Sequence, residues 1–236
     1  MRASAAYLDH RTGLQTYLAG DGQLSKAKAV ALLLHGGKEV SDAPVAGRQM
    51  AVLRMLPIAR HLVTVGADYG LAVWRLRFRY RGWNSEAAHP MEDLEWALRQ
   101  LRLRHGAAPI VMIGHSMGGR AAIRGAGEDG VAGVVGLAPW LPVDEPREQL
   151  AGRRLLVVHG SRDRITSSKR SREFVEAARP IAEAATFVGL RGCGHAMLRR
   201  TRLWNALMGD FVLYAALGVE PHGPLAKALH EGCALL

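Results

Sequence analysis

The fold is decided by one stretch of sequence, Pro109-Ile110-Val111-Met112-Ile113-Gly114-His115-Ser116-Met117-Gly118-Gly119-Arg120-Ala121-Ala122-Ile123. An apolar run of strand length leads into a glycine-rich turn, and a segment of small residues follows, so the pattern predicts strand, tight turn and helix. Gly114 and Gly118 each lie two residues from Ser116 and leave room for a strained backbone there. The turn therefore predicts a serine hydroxyl presented above the edge of a sheet. A glycine-rich turn in an ordinary strand-helix unit is the alternative.

The bulk composition predicts one domain. With 236 residues, 49% of them hydrophobic, the chain is long enough to bury one sizeable core. The longest nearly uncharged apolar run, 131–143, contains Pro139 and is shorter than the roughly 20 residues of a membrane span, so no span is predicted. The N-terminus lacks a continuous apolar signal segment, which favours a cytoplasmic location. Cys193 and Cys233 have no C-x-x-C spacing, so neither a metal site nor a cofactor is predicted.

The positive charge of the chain does not by itself indicate a partner. Lys plus Arg (31) exceed Asp plus Glu (21), which gives a formal net charge of +10. The excess is spread along the chain without a block of five or six like charges and without an interleaved aromatic and basic platform. Binding to nucleic acid is therefore not predicted, and the sequence gives no indication of the oligomeric state.

Apolar runs alternate with amphipathic segments over most of the chain, which predicts a mostly parallel sheet with helices on both faces. The predicted strands cover 29–34, 71–76, 109–113, 131–137, 154–158 and 185–190, and the predicted helices cover 49–65 with a kink near Pro57, a segment from Pro90, the segment after Ser116, 167–178 and 198–217. Residues 1–217 form a single predicted domain, with a hairpin over 7–24 at the sheet edge. Residues 218–236 are predicted to be a loosely attached tail because they are rich in Gly and Pro.

Three further motifs end predicted strands. His35-Gly36-Gly37 follows the first of them, and the Gly37 amide can pair with that of Met117 as two donors to a developing oxyanion. His159-Gly160-Ser161-Arg162-Asp163 presents a carboxylate after a later strand, and Gly192-Cys193-Gly194-His195 presents an imidazole after the last. The order of serine, carboxylate and histidine is the one that nucleophilic serine chemistry on a parallel sheet requires.

These motifs predict Ser116 as a nucleophile, Asp163 as the acid that orients a histidine, and His195 as the base. Taken singly, each residue has another explanation. His35 and His159 can be buried turn residues, Asp163 can cap the next helix, and His195 can be a surface histidine. Their joint order, with every member at the carboxyl end of a strand, favours the triad.

With these motifs the chain resembles the α/β-hydrolase superfamily, in particular its small esterase and dienelactone-hydrolase-like members. The resemblance covers about residues 28–215 and rests on H-G-G, G-H-S-M-G-G, H-G-x-x-D and G-x-x-H in that order. It implies the α/β-hydrolase fold, with Ser116 as nucleophile, Asp163 as acid, His195 as base, and Gly37 with Met117 as the oxyanion hole. A serine at the nucleophile position argues against the dehalogenase and epoxide-hydrolase branches, which use aspartate there.

The chain departs from many such relatives in its lack of a cap. Only about a dozen residues, 140–153, are left where those relatives insert helices over the pocket, so no substantial cap domain is predicted. An open pocket suits small or protruding acyl groups. Lys38, Trp83 and Trp140 are candidate substrate-binding residues, and the arginine-rich loop 77–81 either holds an anionic group or faces solvent.

The sequence thus predicts a serine hydrolase that cleaves carboxylic ester or thioester bonds of a small-molecule acyl substrate through an acyl-Ser116 intermediate. The same fold and triad can also act on amide, peptide or carbon-carbon bonds. A non-catalytic binding protein of the same fold is the further alternative.

Overall fold

The computed structural model of the protein describes residues 15–17 and 26–236, which form an eight-stranded sheet with helices on both faces. The strands are β1 (Gln15–Tyr17), β2 (Ala29–Leu34), β3 (Leu71–Leu76), β4 (Ile110–His115), β5 (Val131–Leu137), β6 (Arg154–Gly160), β7 (Ala184–Leu190) and β8 (Cys233–Leu235). The helices are α1 (Met50–Leu53), α2 (Met55–Gly66), α3 (His89–His105), α4 (Met117–Arg124), α5 (Ser168–Ala178), α6 (Thr201–Leu217) and α7 (Gly223–Glu231).

The strand order across the sheet is β1-β3-β2-β4-β5-β6-β7-β8. β1 pairs antiparallel with β3 at one edge, and every other neighbouring pair is parallel. Because parallel strands need a crossover connection, each strand end at the carboxyl edge leads into a loop that returns to the opposite edge. The loops after β2, β4, β6 and β7 therefore all begin at one edge of the sheet.

Both faces of the sheet are buried, as the uninterrupted apolar runs predict for parallel strands. In β2, Val30, Leu32 and Leu34 pack into a core with residues of α3, α4 and α5. Ala29, Ala31 and Leu33 point into a second core with residues of α2, α6 and α7. The predicted α/β class, with helices on both faces of a mostly parallel sheet, is confirmed.

The helix predicted over 49–65 is divided in two. α1 ends at Leu53, four residues before Pro57, and α2 begins at Met55, two residues before it. Pro57 has no N–H to donate to the carbonyl of Leu53, and its ring crowds that carbonyl, so the break falls there. By length and composition alone, Met50–Tyr69 could cross a membrane. In this fold, Ile58, Ala59 and Leu62 of that segment are buried in the core.

The prediction of a loosely attached tail over 218–236 is wrong. Gly223–Glu231 forms α7, and β8 extends the sheet by pairing with β7 in register Phe187 to Cys233. Leu225 and Ala228 of α7 are fully buried. Pro224 lies in the first turn, where its fixed φ favours helix initiation. The same proline and glycine pattern that suggested a loop therefore starts a helix.

Two other predictions concern the edges of the domain. Of the hairpin predicted over 7–24, only 15–17 is described, and it forms β1 at the sheet edge; the rest lies outside the described residues. The connection between β5 and β6 contains a single turn of 3₁₀ helix, Glu148–Leu150, which agrees with the predicted lack of a cap domain.

Replacement of Leu225 by alanine tests whether the C-terminal segment is packed on the domain. We expect Leu225→Ala to lower the free energy of unfolding by about 2–4 kcal/mol, because the side chain is fully buried and its loss leaves a cavity. Leu235→Ala, at a side chain that is 57% exposed, is the matched control and should cost under about 1 kcal/mol. Urea unfolding of both variants measures the difference. Equal stabilities would contradict the packed position of α7.

Candidate active site

Ser116 lies at a sharp turn between β4 and α4. Its backbone has φ 54° and ψ −118°, a region that non-glycine residues rarely occupy and that costs roughly 1–3 kcal/mol. The turn is held by hydrogen bonds on both sides of the peptide. The Ser116 amide donates to the carbonyl of Leu137 at 3.0 Å, and the Ser116 carbonyl accepts from the amides of Gly119 at 3.0 Å and Trp140 at 3.1 Å. The neighbouring strand β5 and its loop thus fix the strained residue.

Close approach of the backbone explains the two glycines around the serine. A Cβ at Gly114 would overlap the carbonyl of Gly118, and a Cβ at Gly118 would overlap the carbonyls of Leu34 and His35. Only glycine lets α4 begin this close to β2 and β4. The spacing that predicted a strained turn therefore has a direct steric cause.

A cavity of about 280 Å³ opens at Ser116 and is lined in part by Gly37, Lys38, Met117, Trp140 and Thr166. Within the described residues, the backbone amides of Gly37 and Met117 donate to no acceptor. Both predicted oxyanion donors thus line the same cavity as the serine, and their N–H groups are available to a ligand.

Asp163 and His195 come together from separate loops. The Asp163 Oδ2 accepts from the Nδ1 of His195 at 2.8 Å. The loop after β6 is tied to the loop after β7, because the Arg162 amide donates to the Cys193 carbonyl at 2.8 Å and the Ser161 amide to that of Leu190 at 2.9 Å. These backbone bonds hold the carboxylate and the imidazole at a fixed separation.

Asp163 is held as an anion. Its Oδ1 accepts from the amides of Ile165 at 2.8 Å and Thr166 at 3.0 Å, and its Oδ2 accepts from the Thr166 hydroxyl at 2.9 Å in addition to His195. Burial acts to raise the pKa of Asp163, but these hydrogen bonds outweigh it and lower the pKa to about 2. At neutral pH the carboxylate therefore presents a full negative charge to His195.

No hydrogen bond joins Ser116 to His195. Across the described part of the chain, the Ser116 hydroxyl and the His195 Nε2 each lack a hydrogen-bond partner. The structure therefore brings together Ser116, Gly37 and Met117 at one cavity and Asp163 with His195 beside it. Hydrogen bonds between a nucleophile and its base are often long in unliganded enzymes and shorten when substrate binds.

His159 is a second histidine in contact with the Asp163 carboxylate. The side chain is fully buried, with Nε2 3.1 Å from Asp163 Oδ2 and Nδ1 3.0 Å from the Ser171 hydroxyl. Burial lowers the pKa of His159 despite the attraction of Asp163. In the neutral ring, Nε2 donates to the carboxylate, so Nδ1 accepts from Ser171. The alternative explanation from the sequence, a buried histidine, therefore holds for His159. This side chain also contacts Asp163, the predicted acid.

His35 and His115 hold two other loops. Burial lowers the pKa of each to about 4, so both rings are neutral at pH 7. His35 donates from Nδ1 to the Gly36 carbonyl at 2.7 Å and accepts at Nε2 from the Phe78 amide at 3.1 Å. His115 donates from Nε2 to the His195 carbonyl at 2.9 Å. The role of His115 was missed from the sequence, although its place beside Ser116 put it at the right edge of the sheet.

The candidate substrate-binding residues divide between two places. Lys38 and Trp140 line the cavity at Ser116. Trp83 does not line it; this side chain is 2% exposed and lines a neighbouring cavity together with Trp140. In the loop 77–81, Arg79 pairs with Glu92 and Asp93, and Arg81 donates to the Pro44 carbonyl at 3.2 Å. Arg79 therefore joins the loop 77–81 to α3, and Arg81 joins it to the segment containing Pro44.

Sequence reasoning also missed a charged cluster beside the site, formed by Arg120, Arg124 and Glu145. Its signal was present in α4, where two arginines one turn apart interrupt a run of small, buried residues. No group of three or more His, Cys, Asp or Glu side chains able to hold a metal ion occurs in 15–17 or 26–236.

Comparison with known proteins identifies related folds. A family model described as an alpha/beta hydrolase domain matches residues 39–203. The chain is similar in structure to Est1E from Butyrivibrio proteoclasticus, with a TM-score of 0.64 at 16% identity over 89% of this chain and 98% of that one. It is also similar to a predicted CIB-like hydrolase from Thermoplasma acidophilum, with a TM-score of 0.63 at 17% identity over 90% and 98% of the two chains.

A third similar structure is the esterase domain of a Rhodothermus marinus protein, with a TM-score of 0.62 at 20% identity over 90% of this chain and 96% of that one. No curated protein sequence matches the chain. At these identities the structural likeness establishes the fold.

The buried neutral histidines predict acid sensitivity. An unfolded histidine takes up a proton below about pH 6.5, whereas His35 and His115 stay neutral in the native state down to about pH 4. Their stabilisation is complete above pH 6.5 and is lost as the pH falls towards 4, by up to about 1.4 kcal/mol per pH unit for each ring. Urea unfolding between pH 7 and pH 4.5 measures this slope.

His115→Gln keeps a donor for the His195 carbonyl. This variant should reduce the pH dependence of the unfolding free energy by the contribution of one histidine, up to about 1.4 kcal/mol per pH unit. His230→Gln, at an exposed position in α7, is the control and should leave the slope unchanged. A slope that is the same in His115→Gln as in the parent protein would contradict a neutral, buried His115.

Proposed function

The chain belongs to the alpha/beta hydrolase family, and from that premise we propose that it is a serine hydrolase that cleaves carboxylic ester or thioester bonds through an acyl-Ser116 intermediate. The observation that carries the proposal is the cavity at Ser116, where a strained serine meets two amides, of Gly37 and Met117, that have no acceptor among the described residues. The pair of Asp163 and His195 at the same sheet edge supports the base that the reaction needs.

In the proposed reaction, the Ser116 Oγ attacks the carbonyl carbon of the substrate while the Nε2 of His195 takes the hydroxyl proton. The carbonyl oxygen becomes an oxyanion and accepts hydrogen bonds from the amides of Gly37 and Met117. When the tetrahedral intermediate collapses, the carbon-oxygen or carbon-sulfur bond breaks and His195 returns the proton to the leaving alcohol or thiol. Water then attacks the acyl-serine by the same steps and releases the carboxylic acid.

Asp163 serves this reaction by fixing the imidazole. Its hydrogen bond to Nδ1 leaves Nε2 unprotonated before the reaction, and its negative charge stabilises the imidazolium that forms. The Thr166 hydroxyl lies 3.1 Å from the same Nδ1 and 2.9 Å from the carboxylate, so it completes the polar surroundings of the pair. The proposal requires the Ser116 Oγ and the His195 Nε2 to approach to about 3 Å in the substrate complex.

The size and openness of the site favour a small acyl group. The cavity of about 280 Å³ lies at the low end of the range for small-molecule sites, and the β5–β6 connection provides no cap to enclose a long chain. Trp140 and Met117 supply apolar surface beside the serine, and the exposed Lys38 lies at the rim. A short acyl ester therefore fits the site better than a long-chain lipid.

Replacement of the nucleophile tests the proposal. Ser116→Ala should lower kcat/KM for p-nitrophenyl butyrate by about 10⁴-fold or more, because no covalent intermediate can form. A fluorophosphonate probe should label the parent protein at Ser116 and leave the variant unlabelled. Ser168→Ala, at the start of α5, is the control and should keep both properties. Unchanged ester hydrolysis by Ser116→Ala, or no turnover of any short ester or thioester by the parent protein, would overturn the proposal.

The role of the carboxylate has its own test. Asp163→Asn keeps the shape of the side chain and can still accept from the amides of Ile165 and Thr166, but it removes the charge opposite His195. We expect kcat to fall by about 10⁴-fold, as for other triads in which the histidine is held in the wrong tautomer. Steady-state kinetics on p-nitrophenyl butyrate, with circular dichroism to check folding, measure the effect. A loss of less than tenfold would show that another group orients His195.

A further inference from the structure

A second cavity, of about 360 Å³, adjoins the one at Ser116. The two cavities share Glu39 and Trp140 in their walls, so one ligand can extend from the first into the second. Arg120 and Arg124 line the second cavity, and Arg120 follows Ser116 by four residues, about one helical turn along α4. The same short helix therefore carries the reactive serine at its start and two cations within reach of a substrate.

The buried ion-pair cluster beside this second cavity holds two arginines and one carboxylate. The Glu145 side chain is fully buried and accepts from both arginines, with Oε2 2.6 Å from the Arg120 Nε and Oε1 2.7 Å from the Arg124 Nε. One carboxylate thus faces two guanidinium groups, which leaves one positive charge in excess. The side chains of Arg120 and Arg124 are 11% and 34% exposed, so the cluster is partly removed from water while both guanidinium groups still line the cavity.

The outer nitrogens of both guanidinium groups are available. Each arginine donates from Nε to Glu145, and in the part of the chain that the structure describes none of their Nη atoms makes a hydrogen bond. A guanidinium carries five N–H donors, and its Nη groups suit the two oxygens of a carboxylate. The cavity therefore offers donors that the protein itself does not satisfy.

Two tryptophans hold Arg120 in place. The Arg120 Cζ lies 4.0 Å from the ring centroid of Trp83 and 4.7 Å from that of Trp140, and the two rings meet edge to face at 6.3 Å. These contacts fix the guanidinium plane and exclude water from it, which strengthens any hydrogen bond that it donates to a ligand. Burial lowers the pKa of Arg120, although attraction to Glu145 opposes this effect.

Three exposed carboxylates lie around the cluster. Glu39 and Glu86 line the cavity, and Asp144 precedes Glu145 in the chain. None of them forms an ion pair with Arg120 or Arg124 among the described residues. Ion pairs between side chains in contact with water contribute little, and these flexible carboxylate side chains can turn away from a bound anion. They reduce the positive potential of the cavity, and Asp144 opposes the fall in the pKa of Arg120, but they do not occupy the guanidinium donors.

We propose that Arg120 and Arg124 form a subsite for a carboxylate carried by the substrate, so that the protein prefers esters bearing an anionic group a few atoms from the reacting carbonyl. The inference rests on the proposed function, since the reacting carbonyl is placed at Ser116. The carboxylate can belong to the acyl part, as in a half-ester of a dicarboxylic acid, or to the alcohol part. Neither the spread of positive charge over the chain nor the loop 77–81 is needed for it.

A matched pair of substrates tests the acyl side. Mono-p-nitrophenyl glutarate carries the terminal carboxylate, and its methyl ester is the neutral counterpart. We expect the parent protein to prefer the anionic ester by about 10- to 100-fold in kcat/KM, the range of a hydrogen bond to a charged group. 4-Carboxyphenyl butyrate against 4-carbamoylphenyl butyrate tests the alcohol side in the same way.

Variants of the more exposed arginine assign the preference. For the substrate pair that shows a preference, Arg124→Gln should reduce the ratio of kcat/KM for the anionic ester to kcat/KM for the neutral ester at least tenfold. Arg124→Lys should retain part of that preference. This ratio does not depend on the fraction of folded protein, because both substrates are measured with the same protein preparation. Arg172→Gln, which removes an exposed arginine that pairs with Glu176 on α5, is the control and should leave the ratio unchanged. A ratio near one in both arms, or one that Arg124→Gln does not change, would overturn the subsite.

Direct binding separates failure of the subsite from failure of the proposed function. Calorimetric titration of Ser116→Ala protein with glutarate should give binding that is weaker in high salt and lost in Ser116→Ala/Arg124→Gln, whereas glutaramide should not bind. Glutarate binding together with a parent protein that hydrolyses no ester would overturn the proposed function and leave the subsite. Ester hydrolysis without glutarate binding and without a preference would overturn the subsite and leave the function.

Discussion

The geometry of the whole site depends on the close approach of α4 to β2 and β4. Because Gly114 and Gly118 have no Cβ, the helix can begin directly above the carbonyl ends of two central strands. This approach forces Ser116 into a strained backbone conformation and leaves the Met117 amide without a partner in the described structure. It also sets the position of Arg120 one turn later. A single steric constraint thus places a hydroxyl, a free N–H group and a cation along one side of the same cavities.

Three buried, neutral histidines stabilise the loops around this turn. Each comes at the end of a strand: His35 after β2, His115 at the end of β4 and His159 near the end of β6. An imidazole can donate at one nitrogen and accept at the other, so it can satisfy a loop carbonyl and a neighbouring donor at once, as His35 does. Burial keeps these rings uncharged. The same property makes the stability of these loops sensitive to acid, because protonation of a buried ring removes its role as an acceptor.

Much of the fold follows from local sequence patterns. β2, β3 and β5 coincide with the predicted strands at 29–34, 71–76 and 131–137, because strands buried on both faces appear as continuous apolar runs. The carboxyl-edge position of the candidate residues follows from parallel topology alone. α7 and β8 were not predicted, since a three-residue strand has too little pattern and its stability comes from pairing with β7. The contact of Trp83 with Arg120 could not be predicted either, because it joins residues that are distant in sequence.

The lack of a cap changes where specificity can arise. In a hydrolase with a helical cap, the cap supplies much of the pocket wall. Here the β5–β6 connection contributes Trp140 and Pro142 to the walls of the two cavities, and among the described residues its only helix is a single 3₁₀ turn. The remaining wall comes from α4 and from the loop containing Trp83. An apolar wall this short discriminates weakly, since one methylene changes binding by only about 1–3 kcal/mol. A guanidinium pair with unused Nη donors discriminates more strongly, because a neutral substrate leaves those donors unsatisfied. Among short acyl groups, selectivity in so open a site is therefore expected to depend more on charge than on small differences in chain length.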